Sequence, residues 1–155
     1  MLETAHGAEQ AVRAFRLEDH LFFYFSQILA RRTRAINARL RPLGVDYARW
    51  RVLAVLHEHS GATMGRLADL TSVDRTTLTR TLGQMEAAGL VARLERKTDR
   101  RSLAISLTAK GRRMFARILP LTLAETDKAL AGLSSEEIAT LRDGLTRMAD
   151  NLGAP

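Results

Sequence analysis

The 155-residue chain contains no cysteine. Disulfide scaffolds, thiolate metal sites and thiol-based redox sensing are therefore excluded for it. Long apolar runs are also missing: the longest strongly apolar stretch, Leu21 to Phe25, is far too short to cross a bilayer. No basic segment followed by an apolar one opens the sequence, so no secretory signal is expected. The expectation is a soluble, cytoplasmic protein without a membrane partner. Motifs of catalysis are absent as well. There is neither a Gly-x-Gly-x-x-Gly nor a Gly-Lys-Ser/Thr phosphate loop, no nucleophile elbow, and no recognisable catalytic carboxylate pair. His57 and His59 flank Glu58 without forming His-Glu-x-x-His; two apart on a helix, they point nearly opposite ways. No metal site, no cofactor and no enzymatic activity are expected. His57 falls on an apolar stripe and reads as a core histidine.

Lysine is scarce too. Only Lys97, Lys110 and Lys128 occur among 24 basic residues, and the rest are arginine. Arginine is the better fork for phosphates and guanine edges. The net charge of +7 is unevenly placed: −2 over residues 1–30, +12 over 31–117 and −3 over 118–155. A basic middle between slightly acidic ends points to a polyanionic partner, or to a solvated arginine-rich surface.

With 46% hydrophobic residues the composition is that of a globular domain. Residues 17–40 read as one long amphipathic helix, stopped by Pro42 and Gly44. Asp46 is a candidate N-cap for a helix over 47–59, with Trp50, Leu53, Ala54 and His57 on one stripe. Thr63 caps a short helix over 64–70. Thr71, Ser72 and Val73 form a tight turn, and a further helix runs over 74–88 to Gly89. Two short helices joined by such a turn are the helix-turn-helix pattern. Leu78, Leu82 and Met85 face inward.

After Gly89 the period changes from 3.6 to 2. Leu90, Ala92 and Leu94 alternate with Val91 and Arg93; Leu103, Ile105 and Leu107 alternate with Ser102, Ala104 and Ser106. The polar segment 95–101 is expected as the charged loop of a β-hairpin. Thr108 caps a long helix over 109–131, which Pro120 should kink or split. Ser134 and Glu137 form a capping box for a last helix. There Ile138, Leu141, Leu145, Met148 and Leu152 recur at steps of 3 and 4, which suits either a subunit contact or an internal core stripe.

Helix, turn, helix and hairpin, flanked by long helices, make a winged helix-turn-helix. The sequence resembles the MarR family of bacterial transcription regulators over nearly its whole length. The resemblance is carried by residues 45–53, by Leu78-Thr79-Arg80 with residues 85–91, and by Asp99-Arg100-Arg101 followed after five residues by Leu107-Thr108. The expected fold is mainly α with a small β-hairpin wing. Residues 17–41 and 109–152 would supply dimerisation helices, and 46–107 the DNA-binding lobe.

At 100° per residue, Thr76, Thr77, Arg80 and Gln84 fall opposite the inward face, with Thr79 and Gly83 at its margin and Arg75 in the first turn. Such a face reads base edges in the major groove. Gly65 and Arg66 open the preceding helix, where backbone N–H groups suit a phosphate. The resemblance places Arg101 in the minor groove with Asp99 bracing the loop, and Arg96, Lys97 and Arg100 on flanking phosphates. It also implies a homodimer on a pseudo-palindromic duplex, and a small-molecule effector of aromatic or phenolic type. Phe22, Tyr47 and Trp50 are candidates for lining its cleft, although ordinary packing is the favoured reading of them. The peroxide-sensing branch of the family uses a cysteine near the start of the first long helix, so that mechanism is excluded here. Two other readings fit the same fold: a winged helix serving as a protein-interaction module, and a non-specific architectural DNA binder.

Overall fold

The computed structural model describes residues 12, 14–96 and 99–153, and the side chains of these except 94–96 and 99–103. The chain divides into two compact units, residues 1–34 and 35–155.

In the first unit a short 3-10 turn, Leu17–Asp19, precedes helix α1, Leu21–Leu40, which continues into the second unit. The expected helix from residue 17 is interrupted. His20 sits at φ −94° and ψ 121°, an extended conformation that no helix interior accepts. No described residue between 12 and 34 is buried. The run of four aromatics pairs locally: Phe22 meets Phe25 edge-on at 5.7 Å between centroids, and Phe23 meets Tyr24 at 5.5 Å.

The second unit holds α2 (Tyr47–Glu58), α3 (Met64–Thr71), α4 (Arg75–Ala87), β1 (Val91–Arg96), β2 (Asp99–Leu107), α5 (Ala109–Leu130) and α6 (Ser135–Asn151). Each helix start has a local cause. The side chains of Asp46, Thr63, Asp74, Thr108 and Ser134 accept from the N–H of the residue three further on. Glu137 returns the favour at Ser134, whose N–H donates to its carboxylate at 2.7 Å, completing the capping box. Gly44, Gly61, Gly89 and Gly132 take positive φ between the helices. Helix α5 runs unbroken through Pro120, so the expected split does not occur.

One apolar cluster joins these elements. It contains Ile36 and Leu40 from α1, Leu53 and Leu56 from α2, Leu67 from α3, and Leu78, Leu82 and Met85 from α4. Val91, Ile105 and Leu107 add the hairpin, and Phe115 and Ile118 add α5. Phe115 stacks on Trp50 (5.6 Å, 8° between planes) and on His57 (4.0 Å, 18°). His57 is exposed, not a core histidine. It lies in the last turn of α2, where the stripe leaves the core and ends on the Phe115 ring. Glu125 of α5 is nearly buried and pairs with Arg39 Nε at 3.0 Å.

The hairpin decides which face of β1 is core and corrects the expected loop. Its register sets Val91 opposite Leu107 and Arg93 opposite Ile105. Directly opposed residues share a face, so β1 turns Val91 to the core, where it is buried with Ile105 and Leu107. Ala92, half-buried, belongs to the other face. The expected polar loop 95–101 is largely strand. β1 continues to Arg96 and β2 starts at Asp99. Pairing jumps from Glu95–Leu103 to Arg96–Asp99, so Arg100, Arg101 and Ser102 are surplus residues of a bulge on β2. Bulges of this kind re-aim side chains next to functional sites.

Candidate nucleic-acid interface

The turn between α3 and α4 is made by two side chains and one unusual backbone. Thr71, expected in the turn, closes α3 instead; its hydroxyl donates to the Leu67 carbonyl at 2.6 Å. Ser72 then takes the left-handed conformation, φ 50° and ψ 33°. Asp74 opens α4, accepting from the Thr77 N–H at 2.8 Å. That N–H, and next the Thr77 hydroxyl, hold the Asp74 carboxyl below its ordinary range.

Helix α4 buries Leu78, Thr81, Leu82 and Met85 and exposes Arg75, Thr76, Thr79, Arg80, Gly83 and Gln84. Most of the expected reading face is therefore together and open. Thr77 differs. It is half-buried and is engaged with Asp74, so it belongs to the cap. The Thr79 hydroxyl donates to the Arg75 carbonyl at 2.8 Å, which leaves its methyl group and lone pairs to meet a partner. Arg66 is exposed in the first turn of α3, and Gly65 is half-buried.

The C-terminal end of α4 is fixed by other elements. Beyond its C-terminus, Lys110 Nζ donates to the Ala88 carbonyl (2.8 Å) and the Thr108 hydroxyl to that of Gly89 (2.7 Å). The Thr108 N–H donates to Leu90 (3.1 Å). Carbonyls after α4 thus face the N-terminal turn of α5, a favourable meeting of opposite helix-end charges. Arg93 of β1 lies 3.2 Å from the Glu86 carboxylate. On the exposed side, Arg49 of α2 reaches across to Gln84, its Nη2 donating to Oε1 at 2.8 Å. Sequence reasoning missed Arg49, since nothing local marks a contact between residues 35 positions apart.

At the wing, the backbone of Arg96, Asp99, Arg100 and Arg101 is described, with Arg100 and Arg101 in the bulge. The side chains of these four, and Lys97 altogether, lie outside the described residues. The candidate ligand residues are placed differently from one another. Trp50 is nearly buried under Phe115. Tyr47 is half-buried; its N–H donates to Asn37 Oδ1 at 2.8 Å, and the Arg51 guanidinium stands 6.0 Å from its ring centroid. Phe22 is exposed in the first unit. Among the described residues, no group of His, Asp or Glu converges as metal ligands would, and no helix is long and apolar enough to cross a membrane.

Comparison with known proteins agrees with this geometry. A family model described as the MarR family matches residues 43–102. The crystal structure of a MarR-family transcriptional regulator from Silicibacter pomeroyi superposes with a TM-score of 0.82 at 28% identity, covering 90% of this chain and 94% of that one. A mutant MarR from E. coli, solved in complex with operator DNA, gives 0.74 at 26% identity, covering 83% and 92%. The HTH-type transcriptional repressor IacR of Pseudomonas putida is 25% identical over 138 residues, which is 89% of this chain and 83% of the repressor.

Proposed function

We propose that the chain, similar to the MarR family of transcription regulators, is a ligand-responsive repressor that binds a pseudo-palindromic operator as a homodimer. One observation carries the reading. Helix α4 is capped at its start and held beyond its end, its apolar face is buried, and its opposite face presents Arg75, Thr76, Thr79, Arg80 and Gln84 to solvent. An arginine forks to guanine O6 and N7, and threonine offers a hydroxyl or a methyl group. The wing, with Arg100 and Arg101 set in a bulge, would follow the minor groove, with Arg96 and Lys97 on phosphates and Asp99 bracing the turn.

Dimerisation is supported by α6. None of its residues is buried, and Leu141 and Leu145 of the heptad seam are about half exposed. In this reading residues 17–41 and 109–152 form the subunit contact and 46–107 the DNA-binding lobe, working in the cytoplasm without catalysis. Two-fold symmetry then sets the two recognition helices about one DNA turn apart. An aromatic or phenolic effector would act by changing that spacing, with Tyr47 and Trp50 as candidate contacts.

Duplex selection from a random pool tests the reading, followed by titration of the winner and a scrambled control against salt. The expected winner is palindromic and binds on the order of 10³-fold above the control, weakening steeply with salt. Equal binding to both duplexes makes the protein an architectural binder. Absence of binding to any duplex leaves a protein-interaction module.

A further inference from the structure

Arg49 is fixed at both branches of its guanidinium. Nη1 donates to the Gly44 carbonyl at 2.7 Å, and Nη2 to Gln84 Oε1 at 2.8 Å. Its own backbone is held as well, because the Arg49 N–H donates to the Asp46 cap. Gly44 presents its carbonyl from a left-handed turn, φ 68°. The guanidinium is thus anchored to α2 and to the turn before it, and extends one nitrogen to the open face of α4.

A guanidinium has donors and no acceptor. The Gln84 carboxamide must therefore turn its oxygen, not its nitrogen, toward Arg49. Its NH₂ group is left pointing elsewhere on an exposed side chain. Free glutamine reads adenine with both amide ends, accepting from N6 and donating to N7. With its oxygen turned to Arg49, the carboxamide is held so that its NH₂ group leads toward a base edge.

We propose that Arg49 is a positioning residue that holds Gln84 with its NH₂ group outward, so that Gln84 selects a base with a major-groove acceptor (guanine, thymine or adenine) against cytosine, which offers only a donor. The proposal rests on the reading of α4 as the recognition helix. It adds a residue outside the helix-turn-helix to the determinants of sequence preference.

The test is base-preference profiling of the selected duplex, each position varied to all four bases, for the full-length protein and three variants. Gln84→Ala identifies the position Gln84 reads, by loss of preference there. Arg49→Ala is expected to reduce a preference of roughly tenfold against cytosine at that position to within about threefold, because the freed carboxamide can turn its oxygen to the cytosine N4 donor. Preferences at the other positions stay as they were, which a merely structural loss would not produce. Gln84→Glu keeps the bond to Arg49, now charge-assisted, and removes the donor; the preference should move to cytosine, whose N4 donates. Thermal melting of each variant checks that the fold is retained. If Gln84→Ala alters a position and Arg49→Ala leaves it unchanged, the positioning role is overturned while the reading of α4 stands. If Gln84→Ala alters no position, Gln84 is not a base contact and the proposal falls with it.

Discussion

Gly111 in the first turn of α5 lies so close to Leu90 that a Cβ there would overlap the Leu90 carbonyl oxygen, stand 3.1 Å from its carbon and press on Leu107 Cδ2 at 3.3 Å. That carbonyl also accepts from the Thr108 N–H. Backbone meets backbone here, so neither side can yield by a rotamer change. Gly111→Ala is expected to destabilise the protein by about 2 kcal/mol or more, the scale of overpacking in a tight core. Urea unfolding measures it. Gly83→Ala, mid-helix with no atom near its Cβ position, is the contrasting variant and should stabilise by about 0.5–1 kcal/mol.

Ser72 is the one non-glycine among the described residues with positive φ. A β-branched side chain is worse there than serine, because its second branch crowds the preceding carbonyl. Ser72→Val should cost about 1–2 kcal/mol, while Ser72→Gly should be neutral or slightly stabilising. Thermal melts of the pair separate backbone strain from any role of the hydroxyl, for which loss in both variants is the signature.

Asp74 and Glu137 both titrate below the ordinary carboxylate range, Asp74 through Thr77 and Glu137 through the N–H and then the hydroxyl of Ser134. A carboxyl depressed in the folded state adds stability that is present above its unfolded pKa and is lost as pH falls through the folded one. Helicity followed by circular dichroism should therefore fall on the acid side, not the alkaline side. Asp74→Asn retains a cap without a titrating group and should flatten part of that acid limb. An unchanged limb would assign the loss to other carboxylates.

The exposed α6 seam predicts an association effect. Leu141 and Leu145 lie outside the core of the chain, so Leu141→Glu with Leu145→Glu should leave each subunit folded. Sedimentation velocity is expected to show the monomer, and operator affinity to drop by at least about tenfold as the linked second half-site is lost. A double variant that remains dimeric removes α6 from the interface.

Arg101→Ala should weaken operator binding by roughly 1–3 kcal/mol while leaving the sedimentation coefficient unchanged. If Arg101 reads a narrow minor groove, the loss is larger on A·T-rich flanks than on G·C-rich ones. Equal affinity of variant and wild type on both flanks would falsify a role for the wing tip.

Much of the fold was legible because its causes are local. Asp46, Thr63, Thr108 and Ser134 cap helices through residues three positions away. Leu78, Leu82 and Met85 share a face by helical period alone. The exposed set on α4 follows from the same period. By itself, then, the sequence determined the element order, the inward face of α4 and the absence of thiol chemistry. Tertiary structure decided what depends on partners distant in the chain. Leu107, 16 residues on, fixes which side of β1 is core. Phe115, not the stripe on α2, sets where His57 ends. Thr77 joins the cap because its hydroxyl finds Asp74 before it can find a base. Arg49 orients Gln84 across two helices, and Leu90 demands glycine at 111. These relations depend on where packed elements bring one residue against another, and no periodicity along the chain encodes that distance.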